Sequence, residues 1–180
     1  MTDTQSGSEV SRVICSLNEA ALSLGTTWDA GSWNAGPLEK EEDYDMHLIV
    51  CVDDDSGMLF NHRRQSQDRI LRKRILEVTA GKTLWMNHYS QKQFEKEDAP
   101  NLNFDDNFLS EAVNGDYCFV ETEDVTPYEP WIETITLYKW NRRYPSDLKF
   151  TIDLSKWKLQ STTEFPGSSH EKITEEVYIR

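Results

Sequence analysis

The sequence is poor in cysteine and has no long apolar run. Its three cysteines, Cys15, Cys51 and Cys118, form no Cys-x-x-Cys pair and no cluster with histidine. Neither a disulfide framework nor a zinc site is therefore predicted, and reduced thiols are expected. No apolar stretch approaches the roughly 20 residues that a membrane span needs. The polar N-terminus has no basic region followed by an apolar one, so no secretory signal is predicted. We expect a cytoplasmic protein without a membrane anchor.

Basic residues are also scarce, with 19 Lys and Arg against 32 Asp and Glu and a net charge of −13. Such a surface repels the phosphates of nucleic acids and of anionic membranes, so neither partner is expected. The exception is the segment 63–74, where six basic residues are opposed only by Asp68. This segment predicts either a solvated helix face that pairs with acidic residues or a site for a small anionic ligand. A basic protein partner for the acidic surface is a further alternative.

The chain divides into an N-terminal extension and one domain. Residues 1–45 are polar and rich in small residues, apart from a possible helix at Val13–Leu24 and a loop with Trp28 and Trp33. Residues 46–180 alternate short apolar runs with helical patterns. The 180 residues are enough for one sizeable core.

Within the domain, a first apolar strand at His47–Val52 precedes a helix predicted over Ser66–Thr79, which ends at Gly81. Ser90 is predicted to cap the next short helix. The last part of the chain holds three predicted strands, Leu148–Ile152, Trp157–Phe165 and Ile173–Ile179. Strand–helix alternation followed by a run of strands predicts an α/β fold, with a mostly parallel sheet, flanking helices and a C-terminal antiparallel hairpin.

Five segments in the same order resemble the dihydrofolate reductase family over about residues 46–180. They are "HLIVCVDDDSGMLF", "GKTLWMNHYSQKQF", "NLNFDDNFLSEAVNGDYCFVE", "IETITLYKW" and the pair "YPSDLKF" with "ITEEVYIR". The resemblance implies the dihydrofolate reductase-like fold, an NADPH cofactor and a single acid early on the first helix of the domain. Asp68 is the residue here that the resemblance points to as a proton donor. Its alternative role is that of an acid favoured by the helix dipole.

The cofactor glycines of that family are not matched. The Gly-Arg that follows the family's second strand is Asn87-His88 here, and its later Gly-Gly is Glu121-Thr122. Glycines let backbone amides approach phosphates, whereas a carboxylate about 4 Å from a phosphate costs roughly 4 kcal/mol at an effective dielectric near 20. Binding of NADPH in the family's usual way is therefore not expected.

The candidate ligand contacts are polar residues near the predicted cleft. Arginine suits bidentate binding of carboxylate or phosphate, and open α/β sheets bind ligands at the carboxyl ends of their strands. The predicted set is Asn61, Arg63, Arg64, Gln65, His88 and Ser90. For each the alternative is a structural or surface role. Asp53, Asp54 and Asp55 are consecutive, which favours a turn over a metal site, so no metal is predicted.

Three functions follow as hypotheses. The first is a diverged dihydrofolate reductase-like protein that lacks normal NADPH-dependent reduction and binds a small anionic ligand in its cleft. The second is an NADPH-dependent reductase with a rebuilt cofactor site, so enzymatic activity is left open. The third is an acidic interaction or inhibitor module. The oligomeric state is not predicted.

Overall fold

The computed structural model describes residues 45–180. The predicted extension, with its helix at Val13–Leu24 and its Trp28/Trp33 loop, lies outside the described residues except for Asp45. None of the helices in the described range is long and apolar enough to cross a membrane.

A seven-stranded sheet forms the centre of the domain, in the order β5-β4-β6-β1-β7-β10-β9. Its strands are β1 (Met46–Val52), β4 (Leu84–Met86), β5 (Leu102–Phe104), β6 (Tyr117–Val120), β7 (Ile132–Lys139), β9 (Lys158–Phe165) and β10 (Ile173–Ile179). The first five strands in this order, from β5 to β7, are parallel to one another. Strand β10 runs antiparallel to both β7 and β9. The sheet is therefore mostly parallel and ends in an antiparallel hairpin, as predicted.

A smaller antiparallel sheet lies beyond the end of β1, in the order β3-β2-β8. It consists of β2 (Gly57–Phe60), β3 (Arg63–Arg64) and β8 (Leu148–Lys149). The β2–β3 turn has Asn61 and His62 at φ 50° and 60°, which is the two-residue geometry that suits the twist of a hairpin. Histidine at the second turn position is unusual, so the sequence did not predict this hairpin. The predicted strand Leu148–Ile152 shrinks to the two residues of β8.

Three α-helices connect the parallel strands. They are α1 (Arg69–Val78), α2 (His88–Phe94) and α3 (Phe108–Glu111), and two 3₁₀ segments lie at Thr126–Trp131 and Leu154–Lys156. Helix α1 starts three residues later than predicted because Asp68, not Ser66, is its N-cap. Helix α2 is capped by Asn87, whose side chain accepts the Ser90 N–H, so the prediction of Ser90 as the cap is wrong.

The core has one layer on each face of the sheet. Strand β1 contributes Leu48, Val50 and Val52 to one layer and Ile49 to the other. Helix α1 covers the second layer with Leu71 and Ile75, which are both buried. Helix α3 covers the first layer. Burial on both faces explains why β1 is a continuous apolar run rather than an alternating one.

Candidate functional site

The candidate site is the edge where the parallel strands β1, β4 and β6 end. The residue after β4 is Asn87 and the residue after β6 is Glu121, and these two strands are neighbours in the sheet. The β2–β3 hairpin leads from the end of β1 and supplies Arg64. In open α/β sheets this edge is where ligands bind.

An ion pair between Arg64 and Glu121 occupies this edge. The Arg64 Nε donates to Glu121 Oε1 at 3.0 Å and its Nη2 donates to Oε2 at 3.2 Å. The Glu121 side chain is only 7% exposed and that of Arg64 is 19% exposed. Burial lowers the pKa of Arg64, and the Glu121 carboxylate more than offsets this, so the net shift is upward. Arg64 therefore stays charged, and both of its bonds to Glu121 are made through its guanidinium.

Helix α2 completes the surroundings of this pair. The Ser90 hydroxyl donates to Glu121 Oε2 at 2.7 Å. The Arg64 guanidinium lies 4.5 Å above the Tyr89 ring, and its Nη2 also donates to the Tyr89 carbonyl. In return, the Tyr89 hydroxyl accepts the backbone N–H of Arg64 at 2.8 Å. Arg64 is thus held from three directions, by a carboxylate, a carbonyl and an aromatic face.

The amino end of α2 is closed by Asn87. Its side-chain oxygen accepts the Ser90 N–H at 2.9 Å, and its amide donates to Thr122 Oγ1 at 2.7 Å. A side chain therefore already takes the amide that an incoming phosphate would use. The Asn87–Thr122 bond also joins the ends of β4 and β6 across the gap between them.

Acidic residues form the outer part of the same edge. His88 bonds Asp106 at 3.0 Å, and both side chains are well exposed. Burial raises the pKa of Glu123, and the nearby Asp106 charge raises it further. The surroundings of Glu121 are therefore negative on the solvent side.

The predicted ligand residues do not form one cluster. Arg63 and Arg64 are consecutive in β3, so they point to opposite faces of the hairpin, and Arg63 is exposed while Arg64 is half-buried. Asn61 belongs to the turn, and its N–H donates to Asp147. The Gln65 amide donates to Asp53 Oδ2 and to the Pro145 carbonyl. Arg64 and Ser90 converge on Glu121, whereas His88 bonds Asp106.

Asp68, the predicted proton donor, lies buried among six hydrogen-bond donors. Its Oδ1 accepts the N–H groups of Ile70, Leu71 and Ser168, and its Oδ2 accepts the N–H and the hydroxyl of Ser169. The His170 ring is the sixth partner. Desolvation raises the pKa of Asp68, but these bonds outweigh it and hold the pKa far below the usual range. Such a carboxyl remains ionised and fastens the β9–β10 loop to the start of α1.

Other polar and thiol groups have structural surroundings. Asp53 is buried and accepts the N–H groups of Asp55, Gly57 and Tyr144, which makes it the organiser of a turn. Burial raises the pKa of both the Cys51 and the Cys118 thiol. No group of three or more His, Cys, Asp or Glu side chains is placed to hold a metal ion within residues 45–180.

The sequence did not predict Glu121, Tyr89 or His170 as partners of the candidate residues. Glu121 was visible only as a mismatch to a glycine. His170 lies about 100 residues from Asp68 in the chain, and no local motif links them. Only the fold brings them together.

Comparison with solved structures shows the fold. The chain is similar to the dihydrofolate reductase from Enterococcus faecalis complexed with NADP(H) and RAB-propyl, with a TM-score of 0.55 and 13% sequence identity. The match covers 76% of this chain and 96% of the reductase chain. No protein-family model matches the sequence, and no curated protein matches it. The predicted dihydrofolate reductase-like α/β fold is thereby confirmed.

The two adjacent arginines are expected to differ in their effect on stability. Arg64→Ala leaves Glu121 buried without its counter-charge and should lower the free energy of unfolding by about 3 kcal/mol. Arg63→Ala removes the same charge from an exposed site and should change it by less than about 0.5 kcal/mol. Urea denaturation of both variants measures the difference. Equal losses would contradict the assignment of the ion pair to Arg64.

The Asp68 network predicts a loss of stability in acid. The carboxyl has a pKa near 3.9 in unfolded chains and a lower one in the folded protein, so its contribution is present above pH ~4 and is lost as the pH falls toward the folded pKa. The free energy of unfolding should therefore decrease below pH ~4, and Asp68→Asn should make that decrease shallower. Glu171→Gln, an exposed change in the same loop, is the control. An unchanged acid slope in Asp68→Asn would refute this role.

Proposed function

We propose that this chain, with its dihydrofolate reductase-like fold, is a diverged relative that does not carry out NADPH-dependent reduction and binds a small anionic ligand instead. The observation that carries the proposal is the buried Arg64–Glu121 ion pair at the carboxyl ends of β1, β4 and β6. At this edge of the sheet the chain places a self-contained polar network where an open site would be needed.

The residues at this edge do not fit the diphosphate of NADPH. The cofactor would have to displace Glu121 from both Arg64 and Ser90, or accept a second negative charge beside it. At about 4 Å, such a like-charge contact costs roughly 4 kcal/mol at an effective dielectric near 20. The α2 amide that would receive a phosphate is already bonded to Asn87. The contacts of Glu121 with Arg64 and Ser90 and the bond from the Ser90 N–H to Asn87 therefore all oppose the cofactor.

The environment of Asp68 also argues against NADPH-dependent reduction, because it does not suit a proton donor. A proton donor needs a pKa near the working pH, whereas the bonds from Ser168, Ser169 and His170 hold the pKa of Asp68 far below that. Its carboxylate is also enclosed by the β9–β10 loop. Asp68 therefore stabilises the fold in this proposal and does not donate a proton to a substrate.

The hairpin tip is the surface that we propose for the ligand. Arg63 is exposed and has no acidic partner within residues 45–180, and it lies directly opposite Phe60 in the β2–β3 register. Phe60 is 47% exposed and is the only aromatic among the exposed large apolar residues of the described range. A guanidinium beside an aromatic ring suits an anionic group carried on an aromatic or apolar body. His62, at the tip of the same turn, is also exposed.

The two rival functions predict different behaviour. A reductase with a rebuilt cofactor site would bind NADPH and consume it in the presence of a substrate. An acidic interaction module would bind a basic protein, with an association that weakens steeply as salt is added. Neither rival requires Arg63.

The proposal predicts a specific pattern of thermal stabilisation. NADPH and NADP at millimolar concentration should leave the melting temperature unchanged. Within a panel of folates, nucleotides, phosphorylated metabolites and aromatic carboxylates, at least one anion should raise it. A ligand at about 100 times its dissociation constant adds roughly 2.7 kcal/mol.

The test variant is Arg63→Ala and its matched control is Arg69→Ala. The two variants have the same net charge, and each alters an exposed arginine. The ligand-induced shift should disappear in Arg63→Ala and persist in Arg69→Ala. Stabilisation by NADPH, together with loss of its 340 nm absorbance on turnover, would overturn the non-reducing assignment. The absence of a shift with every anion would overturn the ligand assignment and favour the protein-partner alternative.

A further inference from the structure

A histidine, a serine and an aspartate from distant parts of the chain meet beside the start of α1. The His170 Nε2 lies 3.1 Å from the Ser66 Oγ, and the His170 Nδ1 lies 3.2 Å from the Asp68 Oδ2. The three residues thus stand in the order carboxylate, imidazole, hydroxyl. This is the arrangement in which a histidine activates a serine nucleophile and a carboxylate orients the histidine.

The surroundings of His170 fix its position and favour one tautomer. Its side chain is 1% exposed and that of Asp68 is fully buried. The ring stacks on Trp140 with centroids 4.6 Å apart and an interplanar angle of 25°. An ionised Asp68 favours a proton on Nδ1, which leaves the Nε2 lone pair directed at the hydroxyl groups near it.

Two further hydroxyls contact the same ring. The Tyr144 hydroxyl lies 3.2 Å from Nε2, and the Ser169 hydroxyl lies 3.0 Å from Nδ1. Ser169 also bonds Asp68, so it supports the ionised carboxylate. Tyr144 competes with Ser66 for the single lone pair on Nε2. The resting arrangement therefore holds the base in place while sharing it between two hydroxyls.

Among Asp68, His170 and Ser66, only Ser66 is partly exposed; of the two further hydroxyls, that of Ser169 belongs to an exposed residue and that of Tyr144 to a partly exposed one. Ser66 lies in the loop between β3 and α1, two residues before the N-cap of the helix. Its hydroxyl has no other hydrogen-bond partner within the described part of the chain. Asp68 bonds the β9–β10 loop through Ser168, Ser169 and His170, and the bond from His170 to Ser66 is additional to these contacts.

We propose that Ser66 is a nucleophile and His170 its general base, with Asp68 as the positioning residue, and that this site reacts with small carboxylic esters. This inference does not depend on the anionic ligand proposed for Arg63, nor on the loss of NADPH binding. Ser66 follows Arg64 by two residues in the chain, but it bonds His170 rather than the Arg64–Glu121 pair.

The reaction needs no further reactant besides water. The Ser66 oxygen forms a bond to the carbonyl carbon of the ester while its proton moves to His170 Nε2. The carbon–alkoxide bond then breaks, and the leaving alkoxide takes that proton. The oxygen of a water molecule then bonds to the acyl carbon while a water proton moves to Nε2. The bond between that carbon and the Ser66 oxygen breaks, the acid is released, and the Ser66 oxygen takes the proton from Nε2.

The test is covalent labelling of the full chain with a fluorophosphonate probe. In that reaction the Ser66 oxygen bonds to phosphorus, the phosphorus–fluorine bond breaks, and the Ser66 proton goes to Nε2. Intact-mass measurement should show one adduct, and peptide mapping should place it on Ser66. The same protein should hydrolyse p-nitrophenyl acetate above the rate given by Ser66→Ala.

Matched variants separate reactivity from folding. Ser66→Ala should abolish the adduct, whereas Ser161→Ala, an exposed serine on β9, should leave it unchanged. Tyr144→Phe removes the competing hydroxyl and should raise the labelling rate severalfold. Asp68→Asn should lower the rate per folded molecule at least tenfold, with the folded fraction measured by circular dichroism. A merely structural role of Asp68 would change only that fraction.

Two outcomes would overturn the proposal. One is the absence of an adduct on Ser66 in both the wild-type protein and Tyr144→Phe. The other is labelling, or ester hydrolysis, that persists unchanged in Ser66→Ala. Either result would leave the cluster as a hydrogen-bonded anchor of the β9–β10 loop.

Discussion

The buried ion pair between Arg64 and Glu121 determines what the carboxyl edge of this sheet can do. It joins the β2–β3 hairpin to the end of β6, and Ser90 and Tyr89 attach helix α2 to the same two charges. An isolated buried carboxylate would be strongly destabilising. The Arg64 guanidinium and the Ser90 hydroxyl both compensate the buried Glu121 carboxylate at this edge.

A second network, centred on Asp68, holds the other side of the domain together. It caps α1 and binds the Ser168–Ser169 backbone of the β9–β10 loop, so a helix and the terminal hairpin share one buried charge. The backbone packs closely here, because a Cβ atom added at Gly167 would lie 2.5 Å from the Asp68 Oδ2. The carboxylate to which the family resemblance assigned proton donation is hydrogen-bonded to the β9–β10 loop.

The sequence predicted the sheet well because its strands are short apolar runs in a fixed order, and burial on both faces makes β1 and β6 recognisable. It predicted less of the site. The turn at Asn61 and His62 lacks glycine, so the sequence did not predict the hairpin. It is this hairpin that places the side chains of Arg63 and Arg64 on opposite faces. Asn87 rather than Ser90 caps α2, because the cap depends on backbone angles at a strand end. The pairing of His170 with Asp68 depends on tertiary structure, which no local pattern encodes.

A double-mutant cycle on Arg64 and Glu121 measures whether the two side chains are coupled in the folded protein. The variants are Arg64→Met, Glu121→Gln and the two combined, each compared by its free energy of unfolding in urea. If the pair forms the buried centre of this edge, the coupling energy should be at least about 1.5 kcal/mol, within the range for residues in direct contact. Additive effects, with a coupling below about 0.5 kcal/mol, would contradict the account and return the edge to the candidates for cofactor binding.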